Sequence, residues 1–243
     1  MERPFELPSS QGPYTIAPSK IIALGLNYRD HIQESVSVNV RGFDPVEPTE
    51  PVIFPKSPSA LIPSGAAIRL PAILGDYQFP DERTDYEGEL AVIIGRQGFA
   101  IPQARALDYV LGYTCANDVS QRNVQNGDRT GWFRGKSFDT FLPLGPRIVL
   151  RDELKDPQNL QITTRLNGKM VQTGFTGQMI FAIPEMIAWI SRNFTLFPGD
   201  IILTGTPAGV GPIAHGDTVE VEIQQIGILE NPVVDSRNDG SAV

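Results

Sequence analysis

Asp85-Tyr86-Glu87-Gly88-Glu89-Leu90-Ala91-Val92-Ile93-Ile94-Gly95 joins two acids to an unbroken apolar run closed by glycine. The run from Gly88 to Gly95 has strand length and β-branched residues, so it predicts a strand. Strand side chains alternate faces with period two, so Glu87 and Glu89 at its start place both carboxylates on one side. Two like charges side by side need a cation; on the plainer reading they mark an exposed edge strand protected against aggregation.

Outward from this stretch the chain reads as many short strands. Lys20 to Gly25 is an apolar run ended by glycine, and Gly112 to Asp118, Phe141 to Leu150, Leu160 to Leu166, Asp200 to Thr204 and Thr218 to Ile223 follow the same pattern. Gly227 to Val234 continues the sheet, and Asn167-Gly168 between two strand-like runs predicts a tight hairpin. Ala104 to Val110 has helical spacing. The one long helix is Pro184 to Asn193, with proline in its first turn and Met186, Ile187 and Ile190 on one face. Residues 36–51 have loop composition, Pro55, Pro58 and Pro63 prolong the irregular stretch, and residues 71–86 mix acids with proline and glycine. The 23 Gly and 21 Pro exceed the average share of roughly 12%, which favours a turn-rich β protein.

The 243 residues, 41% hydrophobic and 20% charged, have ordinary globular composition and are read as one domain, 1–243, with an N-terminal extension at 1–19 and a frayed tail expected at 235–243. A net charge of −8 without a basic stripe argues against a nucleic-acid partner. No apolar run approaches the roughly 18 residues of a membrane span, and no signal peptide is visible. The single cysteine, Cys115, fits a reducing compartment, so a cytoplasmic location is expected.

A third acid, Asp118, stands at the carboxyl end of another strand. Three carboxylates with no partnering histidine or thiol suit a hard cation such as Mg2+ or Mn2+. His31 and Glu34 lie three apart on a short helical segment, where the carboxylate can orient the imidazole as a general base requires; the plainer reading is an ion pair on a solvated helix face. His215 reads as surface. Gly135-Lys136-Ser137 follows Gly131 with one residue too few for a phosphate loop, so Lys136 either polarises a carbonyl or is a strand-edge lysine. The glycines of residues 205–211 fit a tight turn presenting backbone N–H groups and the Thr206 hydroxyl to an anion. Cys115, mid-strand, reads as a core residue.

These pieces, in this order, resemble the fumarylacetoacetate hydrolase family. The resemblance runs from about Lys20 to about Val234. It is carried by Gly25-Leu26-Asn27-Tyr28-Arg29-Asp30-His31, Asp85-Tyr86-Glu87-Gly88-Glu89-Leu90-Ala91, Gly112-Tyr113, Asn117-Asp118-Val119-Ser120, Gly135-Lys136-Ser137-Phe138-Asp139-Thr140, Leu166-Asn167-Gly168, Pro198-Gly199-Asp200 and Leu203-Thr204-Gly205-Thr206-Pro207-Ala208-Gly209-Val210-Gly211. It implies an α+β fold, mostly β, with a mixed sheet roll and few short helices, assembled as a homodimer. It implies a divalent metal on Glu87, Glu89 and Asp118: Mg2+, with Mn2+ or Ca2+ as alternatives. By the same resemblance His31 and Glu34 form the base dyad, Lys136 lies beside the metal, and Arg122, Gln125 and Thr206 contact the substrate.

The activity so implied is hydrolysis of a carbon–carbon bond in a β-dicarbonyl 2-oxo acid of acylpyruvate or fumarylpyruvate type. The metal would stabilise the enolate, His31 with Glu34 would activate water, and Lys136 with Thr206 would stabilise the oxyanion. The alternatives are an oxaloacetate-type decarboxylase, a 2-hydroxyhepta-2,4-diene-1,7-dioate-type isomerase or 2-oxo acid dehydratase, and a non-catalytic metabolite-binding protein. Asp139 argues against the decarboxylase. Asn123 and Phe175-Thr176-Gly177 depart from the family pattern, and residues 36–51 and 71–84 look longer than in compact members.

Overall fold

The computed structural model describes residues 5–32, 46–129 and 131–238. Glu34 and most of the loop expected at 36–51 lie outside these residues.

The chain builds a mixed seven-stranded sheet in the order Val52–Lys56, Ile21–Gly25, Ile201–Leu203, Gly88–Ile94, Val110–Asn117, Leu142–Leu150, Leu61–Ile62. A five-stranded sheet runs Lys169–Phe175, Gln161–Leu166, Thr218–Ile223, Gly227–Asp235, Ile68–Leu70. A three-stranded sheet of Ser120–Gln121, Thr84–Tyr86 and Gly211–Pro212 sits beside them. The molecule is thus mostly β with few helices, as the sequence predicts.

The apolar runs are continuous rather than alternating because the large sheet is covered on both faces. Leu90, Val92 and Ile94 join Ile22, Leu24, Tyr113 and Cys115 in one core, whereas Ala91 and Ile93 join Ile21, Ala23, Ala116, Ile201 and Leu203 in the other. The helix Ile183–Asn193 buries Met186, Ile187 and Ile190 in the first core. Leu7 and Val233, from opposite ends of the chain, meet in the second. The strand Gly88–Ile94 is central, hydrogen-bonded on both sides, and Glu89 is 1% exposed, so the edge-strand reading of Glu87 and Glu89 fails.

The hairpin forms as expected: Asn167 and Gly168, at φ 54° and 76°, link Leu166 to Lys169 with both central residues left-handed, the type I′ geometry. Residues 103–109 form a 3₁₀ helix rather than an α-helix; Pro102 caps it in extended conformation and only Ala106 is buried. Val52–Lys56, expected to be irregular, is a strand at the sheet edge, where Pro55 costs no ladder bond on the outer side. The C-terminal segment stays engaged into the stretch expected to fray. The Ser236 amide donates to Leu70 O, and Arg237 pairs with Asp235 and Glu82 as far as the described residues extend. At the other end Leu7 and Ile16 are buried. Among the described residues no helix is long and apolar enough to cross a membrane.

Candidate active site

Antiparallel pairing of Gly88–Ile94 with Val110–Asn117 sets Gly88 opposite Asn117, so the start of one strand meets the end of the other. The Glu87 amide donates to Asn117 Oδ1, and the Asp118 amide donates to Glu87 O. Glu87, Glu89 and Asp118 are thereby gathered with carboxylate oxygens within 4.8 Å of one another, all buried. Only glycine fits between the two glutamates, because a Cβ at Gly88 would stand 2.2 Å from Thr164 Oγ1.

Glu87 and Asp118 share one ammonium, and each carboxylate has further donors. Glu87 accepts from Lys136 Nζ at 2.7 Å and pairs with Arg122 Nη2 at 2.6 Å, while Ser120 Oγ, 3.1 Å away, is nearer to Asp118 O at 2.8 Å. Asp118 receives Lys136 Nζ at 2.8 Å on one oxygen and Lys56 Nζ at 2.5 Å on the other. Glu89 receives the Gly205 amide at 2.7 Å. Gly205 takes φ 92°, and a Cβ there would meet Asn27 at 2.8 Å, so the glycine turn expected to offer N–H groups to an anion offers one to Glu89.

Burial alone would raise Glu87, but the charges of Lys136, Arg122 and His31 outweigh it and hold this carboxyl well below the usual range. Burial, with Asp118 and Glu87 nearby, pushes Glu89 well above the usual range. Lys136 is raised, since Asp118 and Glu87 more than offset its burial. In Lys56 burial prevails and lowers the ammonium against the pull of Asp118.

Arg122 and Gln125 lie one turn apart on Arg122–Gly127, capped by Gln121 on the Val124 amide. Arg122 Nε donates to Asp85 at 2.7 Å and Nη1 to Gln125 at 3.1 Å, while Arg83 Nε holds the other Asp85 oxygen at 2.7 Å. Lys136 comes from the helical turn Phe133–Lys136, not from a strand edge, and lies 5.0 Å from the Phe54 ring centroid. A Cβ at Gly135 would stand 2.6 Å from Gln125 N, so the turns carrying Gln125 and Lys136 touch backbone to backbone. Gly135→Ala is expected to part them and lower kcat about 10- to 100-fold with the fold retained; steady-state kinetics beside circular dichroism checks this.

His31 is buried on the helical turn of residues 29–32 and lines one small cavity with Glu87, Glu89, Arg122, Gln125 and Lys136. The cavity, about 20 Å3, has room for one water-sized sphere. Glu34 lies outside the described residues. Thr206 lines the same cavity, but its hydroxyl donates to Gly88 O at 2.8 Å and accepts from Gln172 Nε2 at 2.9 Å, so its proton is not directed at a ligand. His215 is on the surface and accepts from the Asp235 amide at 3.1 Å. Cys115 is fully buried, and burial pushes its thiol up to about 12, unlike a nucleophile. Asn123 accepts from the Arg83 amide and donates to Asp81 O, pinning the segment beside the site. Phe175 is half-exposed, Thr176 is buried against Leu160, and Gly177 borders a separate groove with Tyr28 and Arg29.

Lys56, Asp85 and Gln172 are the residues that sequence reasoning missed. The usable signal for Lys56 was one charge ending the apolar run Val52-Ile53-Phe54-Pro55; for Asp85 it was membership of the deciding stretch.

The donor set fits a divalent cation: all oxygen, all buried, with one carboxyl pushed toward its neutral form by burial and by the two acids beside it.

Residues 20–234 match the family model described as fumarylacetoacetate (FAA) hydrolase, C-terminal. The mitochondrial oxaloacetate tautomerase Fahd2a of Rattus norvegicus is 43% identical over 224 residues, covering 89% of this chain and 67% of that protein. The crystal structure of 5-carboxymethyl-2-hydroxymuconate delta-isomerase from Mycobacterium smegmatis superposes with a TM-score of 0.78 at 43% identity, covering 91% of this chain and 81% of that one. Fumarylpyruvate hydrolase from Pseudomonas aeruginosa, in complex with Mn2+ and pyruvate, superposes with a TM-score of 0.84 at 30% identity, covering 97% and 98%.

Proposed function

The chain belongs to the fumarylacetoacetate hydrolase family, and on that premise we propose that it is a divalent-cation-dependent enzyme of small 2-oxo acids working through the substrate enolate. The observation that carries this reading is one buried cavity lined by Glu87, Glu89, His31, Arg122 and Lys136, with a carboxylate oxygen of Asp118 within 4.8 Å of those of the two glutamates. A cation held by Glu87, Glu89 and Asp118 would supply a Lewis acid for the carbonyl oxygens of the substrate. Arg122, kept in place by Asp85, orients the substrate carboxylate with Gln125. Lys136 sets a positive charge beside the oxygen on which charge develops. His31, with Glu34 as its partner, moves the proton.

Two finer reactions share this arrangement. In tautomerisation or isomerisation His31 takes a proton from the carbon beside the carbonyl, and a proton returns to oxygen or to another carbon. This reading is favoured by relatedness, since the chain shares more of its residues with the tautomerase and the isomerase than with the hydrolase. In hydrolysis His31 takes the proton of water, a carbon–oxygen bond forms at the distal carbonyl, and the carbon–carbon bond breaks with its electron pair leaving as enolate. A cavity with room for one water beside His31 favours this second reading.

A Mn2+-supplemented panel of oxaloacetate, acetylpyruvate and fumarylpyruvate separates them. The expected result is accelerated keto–enol interconversion of oxaloacetate without carbon dioxide, abolished by EDTA and restored by Mn2+. Loss of enol absorbance with release of pyruvate from either acylpyruvate establishes hydrolysis instead. Release of carbon dioxide makes the protein a decarboxylase, and silence across the panel overturns the proposal.

A further inference from the structure

We propose that Lys56 acts on the cation site through its charge: it offsets the repulsion within the carboxylate triad before a cation arrives, and that same charge weakens the binding of the cation. The inference rests on the divalent-cation reading of Glu87, Glu89 and Asp118.

Three buried carboxylates with oxygens within 4.8 Å repel one another strongly, so a chain that folds before it meets metal needs positive charge built into the cluster. Lys136 supplies one such charge between Glu87 and Asp118. Arg122 supplies another at Glu87, and Lys56 supplies a third from the edge strand Val52–Lys56, with a side chain that is 0% exposed. Among the described residues its ammonium makes two contacts, Asp118 Oδ1 at 2.5 Å and the backbone carbonyl of Lys136. The second contact ties the turn Phe133–Lys136 to the strand Val52–Lys56, so one ammonium links a ligand to the segment carrying the neighbouring lysine.

The Lys56 ammonium is fully buried against Asp118 and the Lys136 carbonyl, and it does not line the cavity that holds His31, Arg122 and Lys136. It acts through Asp118, whose two oxygens each carry an ammonium. A divalent ion on the triad must therefore share Asp118 with two positive charges. Without Lys56 the aspartate keeps its position, because its amide donates to Glu87 O, its carbonyl accepts from Ser120 Oγ, and Lys136 remains. Removing Lys56 thus strips charge compensation while leaving the ligand in place.

The test compares the full-length wild type with Lys56→Met after chelator treatment, measuring thermal midpoints with and without Mn2+ and the Mn2+ dissociation constant by calorimetry. The metal-free midpoint of Lys56→Met is expected to fall, the midpoint rise on adding Mn2+ to be at least about twice that of wild type, and the dissociation constant to tighten about tenfold. Equal Mn2+ shifts in the two proteins with an unchanged or weaker constant would reduce Lys56 to a packing residue and overturn the proposal. A wild type that Mn2+ does not stabilise overturns the triad reading and this inference together. Should Lys56→Met fail to fold without metal, refolding in the presence of Mn2+ supports the proposal. So does recovery of the metal-free fold in Lys56→Met/Asp118→Asn, where the uncompensated charge has been removed; failure of both overturns it.

Discussion

Glu89→Gln is expected to lower kcat/KM by about 10³-fold while making the metal-free protein more stable at pH 8 than its parent. The two effects come from one cause. Glu89 is the carboxyl that burial, Asp118 and Glu87 push upward, and among the described residues its one close donor is the Gly205 amide. With its folded value above the ordinary 4.5, the native state binds more protons than the unfolded chain, so stability falls as pH rises through that window. Glutamine keeps the shape and can accept from Gly205, but it cannot carry the charge. Relief of roughly 1 to 2 kcal/mol corresponds to about 2 to 8 °C in a domain of this size. Midpoints of chelator-treated protein between pH 5 and pH 8 should converge at the acid end and separate at the alkaline end. A glutamine variant that is less stable at every pH, or that retains turnover, would refute the assignment of Glu89 as the strained ligand.

The deciding stretch shows what a linear sequence can and cannot carry. Period two placed Glu87 and Glu89 on one side correctly, because alternation is a local property of any strand. Their burial was not local. The choice between an edge strand and a central one depended on Ile201–Leu203 and Val110–Asn117 arriving on either side, and the continuous apolar run was the available clue that both faces would be covered. Asp118 could be read as an acid at the end of a strand, but its approach to Glu87 follows from a register in which Gly88 faces Asn117. Lys56 was hidden twice over. It lies 62 residues from the aspartate it binds, and Pro55 made its strand look irregular, although an edge strand tolerates proline.

Thr206 illustrates a different limit. A hydroxyl in a glycine turn is a reasonable anion donor, and the turn does offer an N–H to a carboxylate. The hydroxyl proton nevertheless goes to Gly88 O, because Gln172 crosses from the hairpin strand Lys169–Phe175 and takes up the Thr206 oxygen from the other side. Such competition among neighbours is invisible until the sheets are packed together. The same packing explains Asn123: it pins residues 81 to 83 rather than facing the cavity, so a departure from the family pattern there leaves the carboxylates and their cations untouched.

Lys136→Met is expected to destabilise the metal-free protein by about 3 to 5 kcal/mol, the cost of removing one partner from a buried ionic cluster. That corresponds to a midpoint lower by roughly 6 to 20 °C, and kcat/KM should fall by about 10²- to 10³-fold. The lysine is the largest of the charges that overcome burial at Glu87, and it also holds Asp118 at 2.8 Å. A carboxyl depressed in the folded state contributes stability that is present above its ordinary value and lost as pH falls through the folded one. Without Lys136 most of that contribution disappears, so the penalty should be greatest above pH 4.5, the ordinary Glu87 value, and should shrink as the solution is acidified below it. Asp118 keeps Lys56 and Glu87 keeps Arg122, which limits the loss to one cation of the cluster. Mn2+ should restore part of the midpoint, since it supplies charge to the same oxygens, without restoring turnover, since the donor beside the reacting carbonyl is gone. A penalty of equal size at every pH, unaffected by Mn2+, would mean that Lys136 contributes through packing against Phe54 rather than through its charge.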